Sequence, residues 1–103
     1  MKIPVGARRR KAYAYIVSYD LNQPGQDYGT LIKAIESFRG YKPLLKSTWA
    51  VCHSGTAKDV FNFLSPYVDD TDRLFISVLT ENACWRLDQE KMSWLEIHKF
   101  LCH

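Results

Sequence analysis

Ala12-Tyr13-Ala14-Tyr15-Ile16-Val17-Ser18-Tyr19-Asp20-Leu21-Asn22 is the stretch on which the fold turns. Tyr, Ile and Val suit a pleated, buried surface, so the run reads as the central strand of a sheet. Gln23-Pro24-Gly25 follows at once. Proline has no amide to donate and glycine accepts turn angles that other residues avoid, so the strand is predicted to stop there. Asp20 is thereby set at the carboxyl end of an interior strand, where a rigid scaffold can present a side chain to a ligand or a metal.

Downstream, Asp27 is placed to cap a helix over 28–39, with Tyr28, Leu31, Ile32, Ile35 and Phe38 on one face and Gly40 as its stop. Leu44–His53 reads as one or two strands with a turn near Lys46-Ser47. Thr56 and Asp59 have the spacing of a capping box, and the helix they open buries Val60, Phe61 and Leu64 before Pro66 ends it. Leu74–Leu79 is an uninterrupted apolar run, which predicts an interior strand. Ala83–Leu87 reads as a further short strand, and Gln89–Leu101 as a terminal helix with Met92, Trp94 and Leu95 as its contacts. The order is β-α-β-β-α-β plus an extension. The predicted class is α+β: a ferredoxin-like βαββαβ sandwich with a short extra strand and a C-terminal helical extension. The parts are a basic arm (1–11), the ferredoxin-like domain (12–87) and the extension (88–103).

A chain of 103 residues with 47% hydrophobic side chains has the means to bury a core. No apolar run approaches the ~20 residues of a membrane span, and residues 1–8 lack the apolar centre of a signal peptide. The three cysteines, Cys52, Cys84 and Cys102, are an odd and sparse set, so free thiols in a reducing, cytoplasmic compartment are expected. The net charge of +3 divides unevenly: residues 1–11 carry +5 and residues 12–103 carry −2.

That division makes Arg8, Arg9, Arg10 and Lys11 a candidate phosphate-contacting arm, with a solvated tail that aids solubility as the plainer alternative. Arg39, Lys42 and Lys46, with Lys33 nearby, would extend a phosphate track if they share a face; Tyr41 and Trp49 would then stack on bases or pack as core. Asp20 is either a metal ligand or an acceptor for the turn amides of Asn22 and Gln23. Asp69, Asp70 and Asp72 read mainly as a solvated turn, with Arg73 available to pair with one of them. His98 and Cys102 lie four apart, but two or three ligands do not complete a structural zinc site. Cys52 and His53, consecutive in a strand, point to opposite faces.

Ser18-Tyr19-Asp20-Leu21-Asn22, Pro24-Gly25-Gln26-Asp27-Tyr28, Ser47-Thr48-Trp49 and Asp70-Thr71-Asp72-Arg73-Leu74, in this order, resemble blocks of the CRISPR-associated "Cas two" superfamily, and of its stand-alone SinR-like branch in particular. The resemblance implies a ferredoxin-like homodimer in which the two Asp20 carboxylates meet across the seam and hold one magnesium ion. The activity it implies is magnesium-dependent phosphodiester cleavage of nucleic acid. The basic cluster that often follows the aspartate in that family has no counterpart in 21–30, and Cys52-His53 stand where many members carry a glutamate. The second reading is therefore a non-catalytic dimeric adaptor that recruits a protein partner in a defence, counter-defence or toxin–antitoxin system.

Overall fold

The computed structural model describes residues 11–22, 28–98 and 102. Its elements run β1 (Tyr13–Asp20), α1 (Gly29–Ile35), β2 (Gly40–Leu45), β3 (Thr48–His53), α2 (Ala57–Leu64), β4 (Arg73–Val78) and α3 (Gln89–His98), with a 3-10 turn at Ser65–Tyr67 between α2 and β4. The strands form one antiparallel sheet in the order β2-β3-β1-β4. This is an α+β fold, compatible with a small ferredoxin-like domain. No helix among the described residues is long and apolar enough to cross a membrane.

β1 is central, as its composition predicts, and is flanked by β3 and β4. Its alternation decides which side chains meet which layer. Tyr15 and Val17 point to the face covered by α1 and α2, where they join Leu31, Ile35, Val51, Val60 and Leu64 in the main core. Ala14 and Ile16 point the other way, onto smaller clusters built around Cys52, Leu44, Ala50 and Leu95. α3 thus covers part of the face that α1 and α2 leave open.

Local signals hold where hydrogen bonds are local. Thr56 and Asp59 form a complete capping box, with each side chain accepting from the other's amide at 3.1 and 2.8 Å. Lys46-Ser47 is the two-residue turn between β2 and β3. Asp27 and Gln23-Pro24-Gly25, assigned to a cap and a strand stop, lie outside the described residues.

Four expectations change. α1 ends at Ile35, short of 39, and Ile32 sits at the surface while Ala34 takes its place in the core. Gly40 is no helix stop. It lies in β2, where a Cβ would stand 3.0 Å from the Cys52 sulfur, so its lack of a side chain admits that sulfur. β4 is an edge strand despite its apolar run, with Phe75 65% exposed. Residues 83–87 form no strand; Trp85 and Leu87 instead pack against the cluster under α3.

The cysteines depart furthest from expectation. Cys52 and Cys102 are joined in a disulfide with Cα atoms 5.6 Å apart, and only Cys84 is free. Fifty residues separate the pair in sequence. Spacing gives no hint of their meeting, which depends on α3 turning back across the sheet.

Candidate functional site at the open end of the sheet

Asp20 closes β1 and is exposed. It shares a face with Ile16 and Ser18 by strand alternation, which is the face that α3 covers further along. Directly across from it stands Arg73, the first residue of β4. Next in from this pair come Ser18 and its two neighbours, Thr48 on β3 and Phe75 on β4. The Ser18 and Thr48 hydroxyls bond at 3.1 Å. The open end of the face is therefore a band of small polar groups bordered by one large exposed aromatic ring.

The turn beyond Asp20 is held by a different carboxylate. Asp72 is buried, and it accepts from the Asn22 amide through Oδ1 and from the Asp69 amide through Oδ2, both at 2.8 Å. The expected bond from the Asn22 amide to Asp20 is replaced by this clasp, which leaves the Asp20 carboxylate facing a shallow polar recess with Asn22, Asp70, Thr71 and Arg73. The acidic cluster is thus not simply a solvated turn, since one of its members ties the end of β1 to the start of β4. Arg73 forms no ion pair with Asp69, Asp70 or Asp72; its guanidinium donates to the Thr71 carbonyl at 3.1 Å.

In one protomer this recess brings the Asp20 and Asp70 carboxylates together with Asn22, Thr71 and the Arg73 guanidinium. Magnesium usually takes one or two carboxylates and keeps several of its waters. Among the described residues no group of three or more His, Cys, Asp or Glu side chains is placed to hold a metal ion. His98 and Cys102 are engaged elsewhere: the His98 ring stacks on Trp94, with Nδ1 2.8 Å from the Trp94 carbonyl oxygen, and Cys102 is in the disulfide.

The basic residues are not gathered into one track. Lys46 is exposed in the hairpin turn beside Ser47, whose carbonyl accepts from the Tyr19 amide at 3.1 Å, so it lies at the Asp20 end. Arg39 and Lys11 lie at the opposite end, next to the Ala14–Cys52–Gly40 row. The length of β1, roughly 20–25 Å at strand rise, separates the two groups. Lys42 points under α3 and forms an ion pair with Glu90, where its ammonium holds the Glu90 carboxyl below the usual carboxylate range. Trp49 is core, donating from Nε1 to the Tyr19 hydroxyl at 3.2 Å, and offers no face to a base. Arg8, Arg9 and Arg10 lie outside the described residues.

A cleft of about 510 Å³ lies at the Arg39 end, away from Asp20. Phe38, His53 and Phe63 form its aromatic wall, with Phe38 meeting each of the other two edge-on at 5.7 and 5.3 Å. Sequence patterning marks Phe38 only as a helix-face residue and does not pair it with His53. Their approach comes from strand β3 ending where the α1–β2 connection crosses.

Neither a scan against protein-family models nor searches of curated proteins and of solved structures found a match to this chain.

Proposed function

We propose that this protein is a homodimeric interaction module without catalytic activity of its own, and that it self-associates through the open end of its sheet. One observation carries the reading. Among the described residues β4 has no strand on its outer side, and its Phe75 ring is 65% exposed beside the Ser18–Thr48 band. Edge strands present unsatisfied amides and carbonyls, and natural edges are commonly blunted by lysine, proline or a bulge. β4 carries none of these devices; Arg73, at its first position, is its one charged residue. A two-fold pairing of this surface with a second copy would bury the ring and satisfy the edge. A protein partner recruited by strand addition is the same chemistry with a different occupant.

A test is sedimentation equilibrium of the wild type against Phe75→Lys. The expected result is a concentration-dependent dimer that the variant loses while keeping its circular dichroism. A wild-type protein that stays monomeric at hundreds of micromolar overturns the reading.

The second reading is a magnesium-dependent nuclease of the kind the sequence resemblance implies. Asp20 favours it, since it is exposed on the same face as Phe75, and a symmetric dimer built there would draw two Asp20 carboxylates together. In this reading Asp20 is both metal ligand and catalytic group, and Lys46 and Arg73 are the described basic side chains near enough to the seam to meet a phosphate. RNA and DNA cleavage with magnesium, for wild type against Asp20→Ala, separates the two readings. Activity that the variant lacks supports the nuclease; its absence from both, at concentrations where the dimer forms, leaves the interaction module.

A further inference from the structure

We propose that the Cys52–Cys102 disulfide is a redox latch, holding α3 on the sheet while it is closed and releasing α3 when it is reduced. Little of the described apolar packing holds that helix. α3 is described over ten residues, and helices shorter than roughly 12–15 residues are marginal on their own. Leu95 is its one fully buried side chain, and Ile97, its other aliphatic candidate, is 62% exposed. Among its polar ties are the exposed Lys42–Glu90 pair and a part-buried bond from Lys91 to the Leu44 carbonyl at 3.2 Å.

The disulfide, by contrast, sits inside the contact. Cys52 and Cys102 are both buried, and the Cys102 amide donates to the Ala12 carbonyl at 2.7 Å, so the chain after α3 is joined to the sheet by a covalent bond and a bridge together. Gly40 opens the space for the Cys52 sulfur, and Trp94 of α3 reaches to within 3.9 Å of that same space. Breaking the latch therefore acts directly on the packing of α3. The main core lies on the other side of the sheet and contains no residue of α3, so it has no need of the latch.

Reduction is a two-electron step. A dithiol reductant delivers two electrons and two protons, the sulfur–sulfur bond breaks, Cys52 and Cys102 become thiols, and the dithiol closes to its own disulfide. Release of α3 uncovers Ile16, Leu44 and Ala50. These continue the Ser18–Thr48–Phe75 band along the same face, so the open form has a larger apolar surface for a second copy. That consequence rests on the self-association proposed above; the latch does not.

Hydrogen exchange of the full chain tests the latch, comparing the unreduced protein, the protein in dithiothreitol, and Cys102→Ser without reductant. Amides of α3 are expected to exchange at least tenfold faster in the second and third samples, with those of β1, β3 and α2 unchanged. Thiol titration of the unreduced protein under denaturing conditions is expected to find one reactive group, Cys84, rising to three after reduction. Unchanged α3 protection after reduction overturns the proposal, as does a loss that spreads equally through α2 and the sheet, or three thiols before reduction. Should Cys102→Ser fail to fold, the wild-type comparison with and without reductant decides alone. Sedimentation of the same samples reads the consequence: faster α3 exchange with no gain in association keeps the latch and removes the self-association.

Discussion

On one face of the sheet, α1 and α2 bury Leu31, Ile35, Val60 and Leu64 against Tyr15, Val17 and Val51; on the other, α3 fully buries Leu95 alone and leans on a disulfide. The first closure follows from repeated helical spacing of apolar residues, so many side chains share the burial. The second has one fully buried side chain from its helix, Leu95, with Trp94, Trp85 and Leu87 partly buried around it and one covalent bond. The difference places the stability of the domain on the first face and leaves the second free to change. It also explains why the open band lies where it does, since α3 packs toward the Cys52 end and leaves Ser18, Thr48 and Phe75 beyond its reach.

The largest test of that contrast is a matched pair of truncations in the unreduced protein. Leu64→Ala is expected to cost about 2–5 kcal/mol in urea unfolding, because its cavity lies between α2 and the sheet, where little can collapse. Leu95→Ala is expected to cost clearly less, because α3 can settle toward the sheet. An equal or greater loss at Leu95 would show that the two faces are equally firm.

Asp72→Ala follows in size. It leaves the amides of Asn22 and Asp69 without their acceptor, for an expected loss of about 1–3 kcal/mol. A loss near zero, measured by the same unfolding method, would mean that this end of the main face is held by packing and not by the clasp.

Tyr15 sharpens the comparison through pH. Its hydroxyl donates to the Gly55 carbonyl at 2.6 Å. Burial, with lesser help from Tyr13 and Asp59, raises its pKa above the ordinary 10.0. A raised folded pKa means the native state holds the proton more tightly, so its contribution is complete below pH 10 and is lost as pH climbs through the folded value. Tyr15→Phe is expected to cost about 1 kcal/mol at neutral pH and to flatten the alkaline decline. A decline of the same steepness in the variant would assign it to other groups.

The smallest effect belongs to the second face. Lys42 lowers the carboxyl pKa of Glu90, so that contribution is present above the ordinary 4.5 and fades as pH falls through the lowered folded value. Glu90 is fully exposed, and Glu90→Gln is expected to leave the unfolding midpoint unchanged within error. A resolvable drop would mean that the ion pair helps the disulfide hold α3.

Some of these features are legible in the chain and others are not, and the division follows range. The capping box at Thr56–Asp59 and the hairpin turn at Lys46-Ser47 are made by near neighbours in sequence. The interior position of β1 also reads correctly, because its Tyr15 and Val17 alternate with residues that face a second layer. The apolar run of β4 misleads. Such a run implies burial on both faces, but nothing in it says whether a strand lies on each side, and β4 has one neighbour among the described residues. Asp20 is correctly placed at a strand end, yet the clasp that leaves it exposed comes from Asp72, fifty residues beyond the Asn22 whose amide it accepts. The basic residues cluster in sequence at 39–46 and separate in space, because a strand divides them and Glu90 takes Lys42.

By itself, the amino-acid order determined the α+β class, the central strand and the helix that Thr56 opens. Each of these is set by periodicity or by hydrogen bonds that close within a few residues. Only the tertiary structure decided that Cys52 meets Cys102, that Asp72 holds the turn beyond Asp20, and that Phe75 borders an open edge. Those outcomes depend on which distant segments fold against one another, and local pattern places no constraint on that choice.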